Sequence, residues 1–295
     1  MNAQTAKIRE IAKELLEKQE VQMVIGWEKG TFFYNSTPVF ITKPEDVERL
    51  IWDEYCAVNL AKLLMDYRHV EGKVALFVKG CDARGINRLI QDKVIDRGKT
   101  YLIGLPCPGM KDAGKAAELG KDKAGEAPLE AKCLRCTHPN PVVYDVLVGE
   151  EVPVTGKEDR FARIADLEKM SPDEKFEYWS KQYDKCIRCY ACRNVCPACN
   201  CRECVFDQGQ TWLERAVERG GNQFYGLVRA FHVAGRCIEC GECERACPMD
   251  IPIMDLHHKI AKDINELFGD YEAGLDPEGP LPLGMYKTED PEEFM

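Results

Sequence analysis

The sequence lacks any apolar run approaching the roughly 20 residues that a membrane-spanning helix needs. It also lacks a basic excess. Its 40 Lys and Arg face 50 Asp and Glu, a formal net charge of −10, which excludes a general nucleic-acid binder. The opening stretch MNAQTAKIREIAKELLEKQE is charged and helix-like. It has no apolar h-region or cleavage signal, so no secretory leader is expected. There is no Walker A loop, no G-x-S-x-G elbow and no H-E-x-x-H helix, and no G-x-G-x-x-G follows a strand. The carboxylates are scattered over helices, so no acid–base pair stands out. Hydrolysis, nucleotide-driven work and zinc-peptidase chemistry therefore have no footing.

Cysteine is what the chain has in excess, with 16 in 295 residues. A cysteine-rich secreted protein would be shorter and would open on a signal peptide. Reduced cytoplasmic thiols spent on metal are favoured over disulfides. Apolar residues make up 45% of the chain, enough to bury a core and unlike a disordered composition.

Residues 1–20 predict an amphipathic helix with Ile8, Ile11, Leu15 and Leu16 on one face. VQMVIGW (21–27) and TFFYN (31–35) predict strands. Residues 45–67, after Pro44, predict one long helix that carries Cys56. KVALFVKG (73–80) and TYLIGLPC (100–107) predict buried strands, with a helix between them opened by Asp82 as N-cap. Strand, helix, strand suggests a parallel crossover and an α/β domain. Residues 108–130 read as a mobile, solvated loop. CLRCTHPNPVVYDVLVGEEV (133–152) reads as turn, then strand. Beyond it, helices are expected at 156–184, 211–219, 224–234 and 255–269. The expected organisation is an α/β domain over 1–155, a mainly α domain over 156–268 and an extended acidic tail over 269–295.

The strongest signal is a repeated spacing. Cys186, Cys189, Cys192 and Cys196 form C-x2-C-x2-C-x3-C followed by Pro197, and Cys237, Cys240, Cys243 and Cys247 repeat it before Pro248. This is the bacterial ferredoxin run, whose fourth cysteine serves the other cluster. Three thiolates two residues apart wrap one face of a cubane. The fourth is expected to start a helix and point away, and proline ends the wrap. Crossing the ligands gives one 4Fe–4S cluster on Cys186, Cys189, Cys192 and Cys247. A second falls on Cys237, Cys240, Cys243 and Cys196, near enough for rapid electron tunnelling. A zinc-holding structural module is the competing assignment, although zinc sites usually pair two C-x2-C units across a longer gap. Lys185, Arg188, Arg193, Arg236 and Arg245 surround the ligands and serve either solubility or stabilisation of a reduced cluster.

Eight cysteines remain. Cys81 and Cys107 end two predicted buried strands, whose C-terminal ends in a parallel sheet face one crevice. With the C-x2-C pair Cys133 and Cys136 they make a probable third 4Fe–4S site. Cys199, Cys201 and Cys204 mark a possible further metal site, a fourth centre or idle thiols. Cys56 is expected to be an ordinary buried thiol or the missing ligand of that group. His138 reads as a loop hydrogen-bonder or a ligand neighbour, His257 and His258 as surface or interface residues, and Lys79 and Arg84 as solvated charge or as residues that tune a cluster or bind a phosphate.

The connection from Cys196 to Cys237 reads as helices, and CIECGECERACPMDIPI is very similar to the second motif of the α-helical ferredoxin domain. That domain occurs in succinate dehydrogenase iron–sulfur subunits and in the small heterodisulfide reductase subunit. The resemblance covers about residues 180–265. VALFVKGCDARGINRLI, YLIGLPCPGM and CLRCTHPNPVVYDVLVGE resemble the coenzyme F-420 hydrogenase/dehydrogenase beta-subunit family over about residues 20–155. Members of that family bind flavin and pass electrons to a deazaflavin or another acceptor. This chain departs in placing its ferredoxin module C-terminally. The two resemblances imply a non-catalytic, cytoplasmic iron–sulfur electron-transfer subunit in anaerobic metabolism. Its partners would be other redox subunits: heterodisulfide-reductase-like, flavoprotein, hydrogenase or formate dehydrogenase. The alternative they imply is a subunit with its own flavin or deazaflavin site in the N-terminal domain.

Overall fold

The computed structural model describes residues 3–154, 156, 159–208, 217–285 and 288. The chain divides into two compact units, Met1–Glu158 and Asp159–Met295.

The first unit opens with α1 (Ala3–Glu17), which buries Ile8, Ala12, Leu15 and Leu16 along one stripe. Strands β1 (Met23–Lys29), β2 (Ser36–Ile41) and β3 (Leu50–Ile51) follow, both β2 and β3 pairing antiparallel with β1. Next come β4 (Val74–Val78), α2 (Gly80–Gln91) and β5 (Thr100–Gly104), then α3 (Ala113–Leu119), α4 (Ala131–Leu134) and β6 (Val146–Leu147). The sheet order is β2-β1-β4-β5-β6. The pairs β1–β4, β4–β5 and β5–β6 are parallel. Every residue of β4 is buried, as a parallel strand covered on both faces requires. The expected crossover is therefore present, and the carboxyl ends of β4 and β5 lead directly into Cys81 and Cys107.

Four local expectations give way. Residues 31–35 form a turn rather than a strand. Asn35 Oδ1 accepts the Phe32 N–H (3.1 Å), and Phe32 stacks on Tyr34, so turn chemistry overrides aromatic β-propensity. The long helix at 45–67 is instead a 3-10 turn (Pro44–Arg49), β3, an irregular stretch that carries Cys56, and a second 3-10 turn (Ala61–Tyr67). Its backbone bonds go to α1 instead of along a helix: Leu50 O accepts from Arg9 (2.9 Å) and Trp52 N–H donates to Thr5 Oγ1 (3.1 Å). Asp82 is the third residue of α2, not its N-cap. Its carboxylate accepts from the N–H of the capping residue Lys79 (2.9 Å) and of Leu60 (2.6 Å). Residues 108–130 hold α3 and a 3-10 turn (Lys121–Glu126). They are pinned by buried Ala116, Ala124 and Ala127 against Tyr55, whose Oη donates to the Ala124 carbonyl (3.0 Å).

The second unit is helical: α5 (Ala162–Glu168), α6 (Pro172–Asp184), α7 (Ala191–Asn194), α8 (Arg219–His232), α9 (Glu242–Arg245) and α10 (Ile253–Phe268). Ser171 and Glu174 form a reciprocal capping box at the start of α6, with Pro172 at its first position. Helix α8 approaches α6 so closely that a Cβ on Gly226 would lie 2.1 Å from the Tyr183 ring. Glu168 ties α5 to α10 through Lys259 (2.7 Å) and Lys262. Of the helix expected at 211–219, residues 211–216 lie outside the described residues. In the described part of the tail, 269–285 carries neither helix nor strand. Tyr271 Oη donates to Gly235 O (3.0 Å) there. Residues 286–287 and 289–295 lie outside the described residues. Among those described, no helix is long and apolar enough to cross a membrane.

Candidate metal centres

The two repeated motifs fold alike. In the first, Arg188 (φ 52) and Tyr190 (φ 59) are left-handed; in the second, Glu239 (φ 56) and Gly241 (φ 69) occupy the same two positions. A left-handed L-residue costs about 1–2 kcal/mol, so three non-glycine cases at matched positions mark a backbone shaped for a purpose. The purpose is visible in the amides. The Arg188 N–H points at the Cys186 sulfur and the Glu239 N–H at the Cys237 sulfur. Concave loops of successive N–H groups are what anionic iron–sulfur sites use. In each motif the left-handed residue caps a one-turn helix that carries the third cysteine, Cys192 on α7 and Cys243 on α9. The fourth cysteine closes that turn rather than starting a helix: Cys196 N–H donates to Arg193 O (3.2 Å) and Cys247 N–H to Glu244 O (3.1 Å).

The thiols group across the motifs. Ionising Cys196 would oppose ionising Cys237, Cys240 and Cys243. Cys247 stands in the same relation to Cys186. A pocket partly open to solvent is lined by Cys186, Cys189, Cys192 and Cys247, together with Tyr183, Tyr225 and Arg229. This donor set fits a 4Fe–4S cluster: four thiols facing one volume, with backbone amides beside them. Among the described residues, no group of three His, Cys, Asp or Glu is placed to hold a single ion. All sixteen cysteines are free thiols.

Burial dominates the acidity of the sulfurs. It pushes Cys243 up to about 12 against the help of Arg229 and raises Cys237 and Cys240. Cys196 is the exception, drawn down to about 5. A hydrogen bond from Cys199 is the main cause, and Arg229 adds to it against the cost of burial.

Burial raises Cys186; of the charges near the motifs, Arg188 lowers it and Arg193 bonds Cys204. Arg193 pairs with Asp207 (2.9 Å) and Arg245 with Glu242 (2.7 Å), while Lys185 bonds Gln182 and Arg236 bonds Asn200. Arg188 is buried, bonded to Asn222 (3.0 Å). The cation set deepest among the thiols is Arg229 on α8, 4% exposed. His257 and His258 are buried, not surface residues. His257 Nδ1 lies 3.5 Å from Cys237 Sγ, and His258 Nε2 is 3.3 Å from Glu239. Burial works against a charge on Glu239, yet His258 and Arg160 hold it down to about 2. Tyr225 Oη stands 3.4 Å from Cys192 Sγ. The missed signal lay in α8, where Asn222, Tyr225 and Arg229 share helical spacing and are buried, while Phe224, Leu227 and Phe231 are exposed. The helix is amphipathic with its polar stripe inward.

In the first unit, Cys81 lies in the first turn of α2, Cys107 follows β5, Cys133 lies on α4 and Cys136 just beyond it. Cys107 is within electrostatic reach of Cys81, Cys133 and Cys136. The Cys107 N–H donates to Pro139 O (3.0 Å), and the Met110 N–H to Cys133 Sγ (3.3 Å). Gly80 lets the 138–140 loop close over α2, since a Cβ there would sit 1.8 Å from the His138 carbonyl oxygen. His138 itself meets Thr137 through Nδ1 (2.8 Å). Burial raises Cys81 and pushes Cys107 up to about 12; Lys79 opposes both shifts. Lys79 is 1% exposed and ion-paired to Asp82 (2.9 Å), and Arg84 is buried too, so neither is solvated charge. Cys56 is a core thiol, pushed up to about 12 by burial and then by Asp53. Cys199 sits against Cys196 and Cys204 against Arg193, while Cys201 is exposed.

Residues 182–251 match the family of the 4Fe–4S dicluster domain. The chain is 28% identical to the F420-dependent formate dehydrogenase subunit beta of Methanocaldococcus jannaschii, with 90% of each chain covered. It is 27% identical to the F420-dependent formate dehydrogenase 1 subunit beta of Methanococcus maripaludis, over 92% of this chain and 91% of the relative. The chain is an iron–sulfur electron-transfer subunit of an oxidoreductase, built from an α/β unit and a helical 4Fe–4S dicluster domain and similar along nine-tenths of its length to F420-dependent formate dehydrogenase beta subunits.

Proposed function

We propose that this chain relays single electrons inside a cytoplasmic, formate-dehydrogenase-type complex of an anaerobe. One cluster is held by Cys186, Cys189, Cys192 and Cys247, and a second by Cys237, Cys240, Cys243 and Cys196. A third is held in the α/β unit by Cys81, Cys107, Cys133 and Cys136. The observation that carries this proposal is the pocket lined by three cysteines of one motif and the fourth of the other. The resident clusters supply reversible one-electron chemistry. The protein supplies thiols, amide donors and buried cations. Support for the third site comes from the convergence of four thiols beyond the carboxyl ends of β4 and β5, with Lys79 and Lys132 facing Cys81.

Anaerobic iron and sulfide analysis tests the assignment. About 12 irons per chain is the expected count, on four per 4Fe–4S centre. About 8 removes the third site, and zinc without iron or sulfide overturns the relay altogether. A second function, a flavin or deazaflavin site in the α/β unit, is favoured by the similarity to F420-dependent relatives. A yellow chromophore released by acid extraction supports it; a colourless extract leaves a relay alone.

A further inference from the structure

Arg229 is buried without an acidic partner among the described residues. Its Nη2 donates to the Cys192 carbonyl (2.8 Å), its Nη1 donates to His257 Nε2 (2.8 Å), and its Nε has no hydrogen-bond partner among the described residues. Neither partner is a carboxylate. Arginine cannot shed its proton in a protein, and a buried cation left uncompensated is strongly destabilising. The acidic groups that bear on it most are thiols: Cys243, Cys196, Cys199 and Cys192. Of these, Cys192 belongs to one proposed ligand set, and Cys196 and Cys243 to the other. His257, on the far side of the guanidinium, reaches Cys237 (3.5 Å).

We infer that Arg229 is the shared counter-cation of the two clusters, fixed against Cys192 of one ligand set and, through His257, against Cys237 of the other. The inference rests on the crossed-ligand assignment proposed above. Its physical content is simple. Each electron received from a redox partner adds one negative charge to a ligand set. A fixed guanidinium shared by both sets stabilises that charge on either side, and so raises both potentials. Tyr225 differs in kind. It reaches Cys192 alone among the sulfurs it hydrogen-bonds (3.4 Å), so its influence is local to one set. Arg229 is a positioning and charge-compensating residue, not a ligand.

The test uses the full chain, purified anaerobically, as wild type and as Arg229→Met, Arg229→Lys and Tyr225→Phe. Iron and sulfide are counted, and each protein is titrated with dithionite under EPR. Arg229→Met is expected to lower both midpoint potentials of the dicluster unit. Arg229→Lys, which keeps the charge, should lower both by less, and Tyr225→Phe should move only one. Full iron content with either potential unmoved in Arg229→Met overturns the inference. Should Arg229→Met lose iron, Arg229→Lys decides. Full iron and both potentials near wild type support a counter-charge. Loss of iron there too shows that the planar fork, not the charge, is required, and overturns it. A wild-type protein without two bleachable clusters in this unit defeats the relay itself, before any variant is made.

Discussion

At the scale of single residues, the crossed arrangement makes a claim that ordinary cysteine scanning would miss. Cys247 follows Cys243 in sequence, but its thiol faces the pocket with Cys186, Cys189 and Cys192. Cys247→Ser is therefore expected to damage the same cluster as Cys186→Ser. The double variant should lose no more iron than either single one, about 4 irons per chain. Combining Cys247→Ser with Cys240→Ser should instead remove both clusters, about 8 irons. Sequential ligation predicts the reverse pattern, so iron analysis of the two double variants decides between them. The candidate ligands were legible in sequence because the motif is local: the spacing that would wrap a cubane is written in consecutive residues. Arg229, His257 and Tyr225 were not. They come in from α8 and α10, and their helical spacing marks a shared face without showing that it turns toward the thiols.

At the scale of elements, periodicity was a good guide where one face of an element is buried against apolar neighbours, as in α1 and β4. It failed where another interaction took over. Residues 45–67 contain enough apolar positions for a helix, yet Leu50 and Trp52 make their backbone bonds to α1. Helix α8 buries Asn222 and Arg229 and exposes Phe224 and Phe231, so an apolar stripe would have been assigned to the wrong side. Two element-level outcomes follow from contacts that only the fold reveals. Gly80→Ala would drive a Cβ into the His138 carbonyl. The strain, about 1–3 kcal/mol as for an overpacked core, should push away the 138–140 loop that holds the Cys107 amide. Iron content should then fall by about 4 per chain while the dicluster signals persist; unchanged iron would separate that loop from the third site. The second outcome concerns Glu168, held down to about 2 by hydrogen bonds from Lys259 and Lys262. Its ordinary value is 4.5, so the folded form is the stronger acid. The tether's contribution is complete above about 4.5 and is lost as the pH falls through about 2. Glu168→Gln should lower the melting temperature at neutral pH, and the gap from wild type should close in that acid window. Iron is counted at each pH, and the two proteins are compared only where both keep their clusters. A gap that stays constant to the lowest pH would show that the carboxylate's charge is not what joins α5 to α10.

At the scale of the whole molecule, the two units bury different things. The core of the first is a large apolar cluster around Ile8, Val24, Trp27, Leu76 and Phe77, in which Cys107 and Cys133 are only peripheral. The cores of the second are small and are built on thiols. One packs Tyr183, Ile251 and Met254 on Cys243, with Cys186, Cys192, Cys237 and Cys247 at its edge; the other packs Ala198 and Val233 on Cys196. A protein whose buried contacts run through metal ligands couples its folding to the metal, because the site does not exist in the unfolded chain. The first unit should therefore survive removal of iron, and the second should not. Anaerobic chelation of the full chain is expected to expose the helical unit to protease and to leave a resistant fragment ending near Glu158. The Trp27–Trp52 pair, with ring centroids 5.5 Å apart inside the α/β core, should keep its buried fluorescence, while Trp179, beside Tyr183 on α6, should shift to longer wavelength. Mass spectrometry of the fragment, with a Trp179→Phe variant to separate the emission, reads both effects. If the iron-free chain instead resists protease throughout and Trp179 does not move, the helical unit is held by its helix contacts alone, and its clusters are passengers rather than part of its core.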